Sequence, residues 1–216
     1  MSKLYFTYSA MNAGKSAILL QAAHNYGERG MAVMLWTSSH HAALAGAETG
    51  EIRSRIGLSA PARLFRAGLD LFAAVQARLA RGPLGAVFVD EAQFLTREQV
   101  RQLARVADDL AIPVLCYGLR TDFRGALFEG AAELMALADE LREVRTICHC
   151  GRKATMNLRR SETGETVREG AQIGVEKSAY VPLCRKHFRE ALEEEGPELE
   201  LRAGSGAPSS DKPVAV

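Results

Sequence analysis

Short apolar runs punctuate the first two-thirds of the chain. Lys3–Thr7, Ala32–Trp36, Ala86–Val89 and Ile112–Tyr117 each carry several consecutive apolar residues, the pattern of strands buried on both faces. Helical periodicity lies between them. Ala17, Ile18, Leu19, Leu20, Ala22 and Ala23 predict a helix that stops near Gly27 and Gly30. A second helix is expected over Leu69–Arg81, before Gly82-Pro83. A third follows Thr96, an N-cap with Glu98 and Gln99 in the first turn, and runs to about Leu110. A further strand is expected within Leu141–Ile147. From Thr37 to Pro61 the pattern weakens into a polar, Gly-containing stretch, which reads as a surface loop. Strands alternating with helices predict an α/β fold with a mostly parallel sheet covered by helices on both faces.

The pattern changes after Thr146. Ala154–Arg160 and Thr166–Glu169 flank Ser161-Glu162-Thr163-Gly164-Glu165, which reads as a hairpin turn, and a terminal helix is expected from Cys184 to Glu195. Beyond Gly196 the residues are mostly Gly, Ala, Ser, Pro and charged, too little apolar surface to offset ordering entropy. The expected organisation is an α/β domain over 1–145, a small second domain over 146–192 and a disordered tail over 193–216. The 216 residues are 47% hydrophobic, enough to bury a substantial core, and the net charge is +1, which gives no basic excess for a nucleic-acid partner. No apolar run approaches the roughly 18 residues that span a bilayer. The chain enters a strand at once, so no signal peptide is expected and a cytoplasmic enzyme without a membrane partner is.

Ser9-Ala10-Met11-Asn12-Ala13-Gly14-Lys15-Ser16 stands between the first strand and the first helix. This is a phosphate-binding loop with Ser9 where the first Gly usually stands. Its backbone amides and the helix N-terminus favour phosphate oxygens. Lys15 is placed to reach the β- and γ-phosphates of a nucleotide, and the Ser16 hydroxyl to ligate Mg²⁺. Val87-Phe88-Val89-Asp90-Glu91 supplies the second half of such a site: Asp90 for Mg²⁺ and Glu91 as a general base. Four cysteines in a reducing compartment read as metal ligands rather than disulfides. Cys148, Cys150, Cys184 and His187 offer a closed tetrahedral set for a structural Zn²⁺. Cys116 lies in an apolar strand and reads as core, and His149 as solvent-facing.

The order of these motifs resembles the zinc-containing thymidine kinases. The likeness runs through Tyr8–Ser16, Asp90–Thr96, Pro113–Gly125, Thr146–Ala154 and Tyr180–His187, and covers nearly all of residues 1–190. It implies a P-loop fold with a small zinc-stapled lasso domain. It implies transfer of the ATP γ-phosphoryl to the 5′-hydroxyl of thymidine, in salvage for DNA synthesis, by a homotetramer. In that resemblance Glu91 accepts the hydroxyl proton, Asp90 and Ser16 hold Mg²⁺, and Gln93 lies in the nucleotide-contacting segment. Met11, Phe94, Leu119, Phe123 and Tyr180, with Ile173 and Val175 on the lasso, match the positions around the thymine. Two departures stand out. Where the family carries Asp-x-Arg, this chain reads Ser39-His40-His41-Ala42-Ala43, and Arg53 or Arg55 are the candidates to replace it. The lasso, Gly174-Val175-Glu176-Lys177-Ser178-Ala179-Tyr180, has one Gly before the Tyr instead of two. His40 and His41 read as solvated loop histidines. Two other readings compete: a nucleotide-binding regulator without turnover, and a zinc-bearing nucleic-acid module using Arg152, Lys153, Arg159 and Arg160.

Overall fold

A computed structural model describes residues 2–41, 49–172 and 179–193. The expectations for Ala42 and Ala43, for Ile173 and Val175, for the Gly174–Ser178 lasso and for the tail beyond Glu193 fall outside the described residues. The chain begins with β1 (Leu4–Ser9), α1 (Lys15–Glu28) and β2 (Val33–Ser38). It continues through β3 (Thr49–Arg53), β4 (Ser59–Phe65), α2 (Leu71–Leu79), β5 (Ala86–Val89), α3 (Arg97–Asp109) and β6 (Val114–Leu119). After α4 (Glu129–Leu137) and β7 (Glu140–Glu143) come β8 (Thr146–Ile147), β9 (Lys153–Ala154), β10 (Met156–Arg160), β11 (Ala179–Leu183) and α5 (Arg185–Glu193).

Seven strands form one sheet in the order β3-β4-β2-β5-β6-β1-β7. All neighbours pair in parallel except β3 with β4. Parallel pairing forces each connection to cross back over a face, and alternate side chains of every strand are buried against what crosses there. Val87 and Val89 point into the core that Leu71, Val75, Val100, Leu103, Ala131 and Leu134 of α2, α3 and α4 complete. Phe88 points the other way, to Leu19, Leu20 and Ala23 of α1 with Ile52 and Ala62 of the β3–β4 pair. Thr96 caps α3 as expected: its hydroxyl accepts the Gln99 amide and the Gln99 side chain accepts the Thr96 amide, a reciprocal capping box.

Three local expectations are corrected, and one helix was not expected. The stretch ending at Pro61 is not simply a loop, because β3 and the start of β4 lie within it. Inward Ile52, Ala62 and Leu64 alternate there with outward Glu51, Arg53, Pro61 and Arg63, an alternation written partly in Ala and Pro, which have weak strand propensity. Leu141–Ile147 is two strands, β7 on the large sheet and β8 on a separate hairpin with β9. The 161–165 turn is present, with Ser161 N donating to Glu165 O at 2.9 Å, but the main partner of β10 is β11 rather than Thr166–Glu169. Only a bridge joins Arg160 to Thr166. Finally, α4 has no counterpart in the sequence reading, because it is short and begins at Phe128 with no side-chain cap.

The carboxyl ends of β1, β5 and β6 meet beneath the phosphate loop, where open parallel sheets bind ligands. β6 lies between the other two. Its Gly118 pairs with Tyr8 and leaves room for the segment after β5: a Cβ there would lie 2.8 Å from Gln93 Oε1 and 2.9 Å from the Gln93 amide nitrogen. The β8–β9 hairpin, the β10–β11 pair and α5 share a small core of Cys148, Ala154, Leu158, Leu183, Cys184, Phe188 and Ala191.

Candidate active site

The phosphate loop leaves β1 at Ser9 and enters α1 at Lys15, through Asn12 at φ 62° and Gly14 at φ 84°. Lys15 is half-buried, and its ammonium donates to Ser9 Oγ at 2.8 Å and to Ala10 O at 3.2 Å. Ser9 therefore does what a Gly there would not: its hydroxyl holds the lysine over the loop. Burial pulls the Lys15 ammonium below the ordinary lysine range, opposed by the Glu91 and Asp90 carboxylates. Ser16 Oγ donates to Asp90 Oδ2 at 2.9 Å, which joins the start of α1 to the end of β5. Burial first, then the neighbouring Glu91 carboxylate, raise Asp90 to about 6. A partly buried hydroxyl–carboxylate pair beside a phosphate loop is a donor set that a hard divalent cation such as Mg²⁺ takes, so the residues fit that ion.

Glu91 follows in a left-handed conformation at φ 53°. Such a backbone costs of order 1–3 kcal/mol in a residue with a side chain and concentrates at functional sites. It turns Glu91 away from Asp90's direction, to the junction of two cavities. One, of about 300 Å³, lies over the phosphate loop and is lined by residues 11–17, by Arg53, Ser54, Arg55 and Ile56, and by Glu91 and Leu119. The other, of about 120 Å³, is mainly apolar and is lined by Met11, Phe94, Leu119, Phe123, Phe128 and Tyr180 around Glu91, Gln93, Thr121, Asp122, Asn157 and Gln172. Met11, Glu91 and Leu119 line both.

The Cys/His cluster is assembled. Cys148, Cys150, Cys184 and His187 bring their donor atoms within 4.8 Å of one another. Cys148 Sγ lies 3.3 Å from His187 Nδ1, Cys184 Sγ 3.6 Å from the same nitrogen, and Cys150 Sγ 3.9 Å from Cys184 Sγ. A tetrahedron with Zn–S near 2.3 Å and Zn–N near 2.0 Å has edges of about 3.5–3.8 Å, so the donor set fits zinc. Four protein donors close the sphere, as in structural sites. His149 is exposed as expected, with its ring stacked on His187 at 4.3 Å. Cys116 is fully buried in β6, and burial pushes its thiol up.

A family profile, that of thymidine kinase, matches residues 2–188. The chain belongs to the thymidine kinase family. A thymidine kinase of Ruegeria pomeroyi is 60% identical over 198 residues, which cover 91% of this chain and 98% of that protein. One from Jannaschia is 60% identical over 193 residues, 89% of this chain and 97% of its own length. One from Salmonella typhimurium is 52% identical over 195 residues, 90% of this chain and 94% of its own length.

Of the thymidine kinase positions named for the base, Met11, Phe94, Leu119, Phe123 and Tyr180 line the smaller cavity together. Gln93 is buried, and its carboxamide is engaged by Glu91 and by the Leu119 amide. Residues 39–41, where the family has the start of Asp-x-Arg, form a single 3₁₀ turn, and the exposed His40 lays its ring 4.7 Å from that of Phe94. Asp122, Asn157 and Gln172 were missed. Asp122 Oδ1 accepts the Arg124 and Ala126 amides, a turn that Asp122-Phe123-Arg124-Gly125 announces. Asn157 was signalled by its place as a polar residue between Met156 and Leu158. Its Oδ1 accepts the Met11 amide at 2.7 Å and its Nδ2 donates to Thr121 O at 3.1 Å. The basic cluster does not form a free patch: Arg159 is buried, with its guanidinium 5.3 Å from the Phe123 ring, and Lys153 is paired with Glu143. Among the described residues no helix is long and apolar enough to cross a membrane.

Proposed function

We infer that this protein is an ATP-dependent thymidine kinase that transfers the γ-phosphoryl of ATP to the 5′-hydroxyl of thymidine, giving dTMP and ADP. One observation carries the reading: Glu91 stands where a phosphate-loop cavity and a mainly apolar cavity of about 120 Å³ meet. The phosphate chain occupies the first cavity, on the loop amides and Lys15. The thymine occupies the second, among Met11, Phe94, Leu119, Phe123 and Tyr180. The 5′-hydroxyl then faces Glu91, which takes its proton as the oxygen bonds to the γ-phosphorus and the bond to the β-phosphate oxygen breaks. Ser16 and Asp90 would hold Mg²⁺, which when bound supplies positive charge to the phosphates. A loose phosphoryl-transfer transition state asks for this positioning and neutralisation more than for covalent chemistry. In the same reading the zinc is structural and staples the 146–192 unit, the assembly is a homotetramer, and the enzyme is cytoplasmic.

Radiolabelled phosphate transfer from ATP to thymidine tests the inference, with Glu91→Gln alongside. Removing the base lowers kcat on the order of 10² to 10⁴-fold. If wild type shows no transfer above the variant, the kinase reading fails. ATP binding by calorimetry without transfer would instead support a regulator, the reading that the missing Asp and Arg among residues 39–41 favour.

A further inference from the structure

The cavity over the phosphate loop is walled in part by the turn that joins β3 to β4, through Arg53, Ser54, Arg55 and Ile56. That turn is firmly built. Ser54 is buried, its amide donates to Leu58 O at 2.8 Å, and its hydroxyl accepts the Leu58 amide at 2.9 Å. Gly57 donates to Ser54 O and holds φ 89°, a conformation residues with a Cβ rarely adopt. The two arginines on it differ. Arg53 is held by Glu51 Oε2, at 2.5 Å from its Nη2 and 3.2 Å from its Nε. Arg55 has no hydrogen bond or ion pair with any described residue. On the other wall, Lys15 is held against its own loop by Ser9 and Ala10. A well-bonded turn thus brings Arg55, unpaired among the described residues, to the same cavity that the phosphate loop lines.

We propose that Arg55 is a catalytic residue that binds the phosphate chain and neutralises the γ-phosphoryl group during transfer, a role that rests on the kinase reading. As the γ-phosphorus leaves the bridging β-oxygen, that oxygen keeps the bonding electron pair and ADP departs. The nucleoside oxygen forms the new bond and its proton passes to Glu91. Charge on the equatorial and leaving oxygens peaks midway, when a planar five-donor guanidinium is worth most. Supplying it in cis needs no partner protein.

The test compares Arg55→Ala, Arg55→Lys and Arg53→Ala with wild type in phosphate transfer from ATP to thymidine. ATP binding is followed by calorimetry. For Arg55→Ala, kcat is expected to fall on the order of 10³-fold, with thymidine KM and melting temperature unchanged. Guanidinium ion added to the assay should restore part of the lost rate. Arg55→Lys should recover only part of it, and Arg53→Ala should lose less than Arg55→Ala, since Glu51 already occupies that side chain. Wild-type kcat in Arg55→Ala, a loss confined to thymidine KM, or a larger loss in Arg53→Ala overturns the proposal. A wild-type enzyme without transfer would fail the kinase reading itself, which separates the two outcomes.

Discussion

Gln93 donates from Nε2 to Glu91 Oε2 at 2.5 Å and accepts the Leu119 amide on Oε1 at 2.9 Å. The second bond fixes the first. A backbone N–H must face the carboxamide oxygen, so the NH₂ end has to face the carboxylate. Glu91, on a left-handed backbone at the mouth of both cavities, is thereby tied to the end of β6. Gln93→Leu keeps the bulk and removes both bonds. Displacing a base by a fraction of its reach costs on the order of 10²-fold in rate, so kcat should fall by about that factor with both KM values little changed. Gly118→Ala, which drives a Cβ into Gln93, should reproduce the effect. A loss that appears only in ATP affinity would mean that Gln93 contacts nucleotide rather than positioning Glu91.

Asp90 makes divalent-metal binding depend on pH. Burial and Glu91 raise its folded value to about 6 from the ordinary 3.8 of an aspartate. In the kinase reading Mg²⁺ would take the Asp90 carboxylate in place of its proton, so Mg²⁺ affinity in the presence of ATP should climb as pH rises through about 6 and level off above it. For stability the sign is opposite. Between 3.8 and about 6 the native state binds more protons than the unfolded chain, so Asp90's contribution is fully present below that window and is lost as pH rises through it. Asp90→Asn keeps an acceptor for Ser16 and removes the buried charge. It should stabilise the metal-free protein at neutral pH by on the order of 1–3 kcal/mol while abolishing turnover. Urea unfolding at several pH values, paired with the transfer assay, checks both halves.

The chemistry was legible where it is local. Loop, acid pair and ligand pairs are contiguous stretches whose spacing states their geometry, and their strands are uniformly apolar because parallel strands are buried on both faces. What escaped is long-range. Ile52, Ala62 and Leu64 alternate correctly, yet Ala60-Pro61-Ala62 does not look like a strand until Trp36 and Thr37 pair with Arg63 and Leu64. The α4 helix lacks a capping side chain, so nothing marks its start. Gln93 read as a member of a nucleotide-contacting segment because no spacing rule foretells that Leu119, on another strand, claims its oxygen.

Zinc should be essential to the small unit. Among the described residues its shared core has seven buried side chains, and two of them, Cys148 and Cys184, belong to the Cys/His donor set. So small a core rarely sustains a fold without a staple. Metal analysis should find one zinc per chain, and Cys184→Ser should lose it. Calorimetry of that variant should show the small unit melting ahead of the sheet domain, destabilised by several kcal/mol, the order expected when folding draws on metal binding. Retention of a single wild-type transition after metal loss would argue against a structural role.

Among the described residues, Asn157 is the side chain of the small unit that hydrogen-bonds to the phosphate loop. Asn157, buried on β10, accepts the Met11 amide and donates to Thr121 O, so it ties the loop after β1 to the segment after β6. Met11 N–H is therefore satisfied internally instead of facing phosphate. Asn157→Leu strands both partners, and each buried polar group left unpaired costs about 1–3 kcal/mol. Asn157→Asp is the sharper probe. It keeps an acceptor for the Met11 amide but sets a carboxylate oxygen against the Thr121 carbonyl. If the Met11 bond matters for nucleotide binding and the Thr121 bond for stability, Asn157→Leu should weaken ATP binding and lower the melting temperature. Asn157→Asp should lower the melting temperature while keeping ATP affinity closer to wild type. Equal ATP affinities in the two variants would show that the loop holds its shape without the small unit.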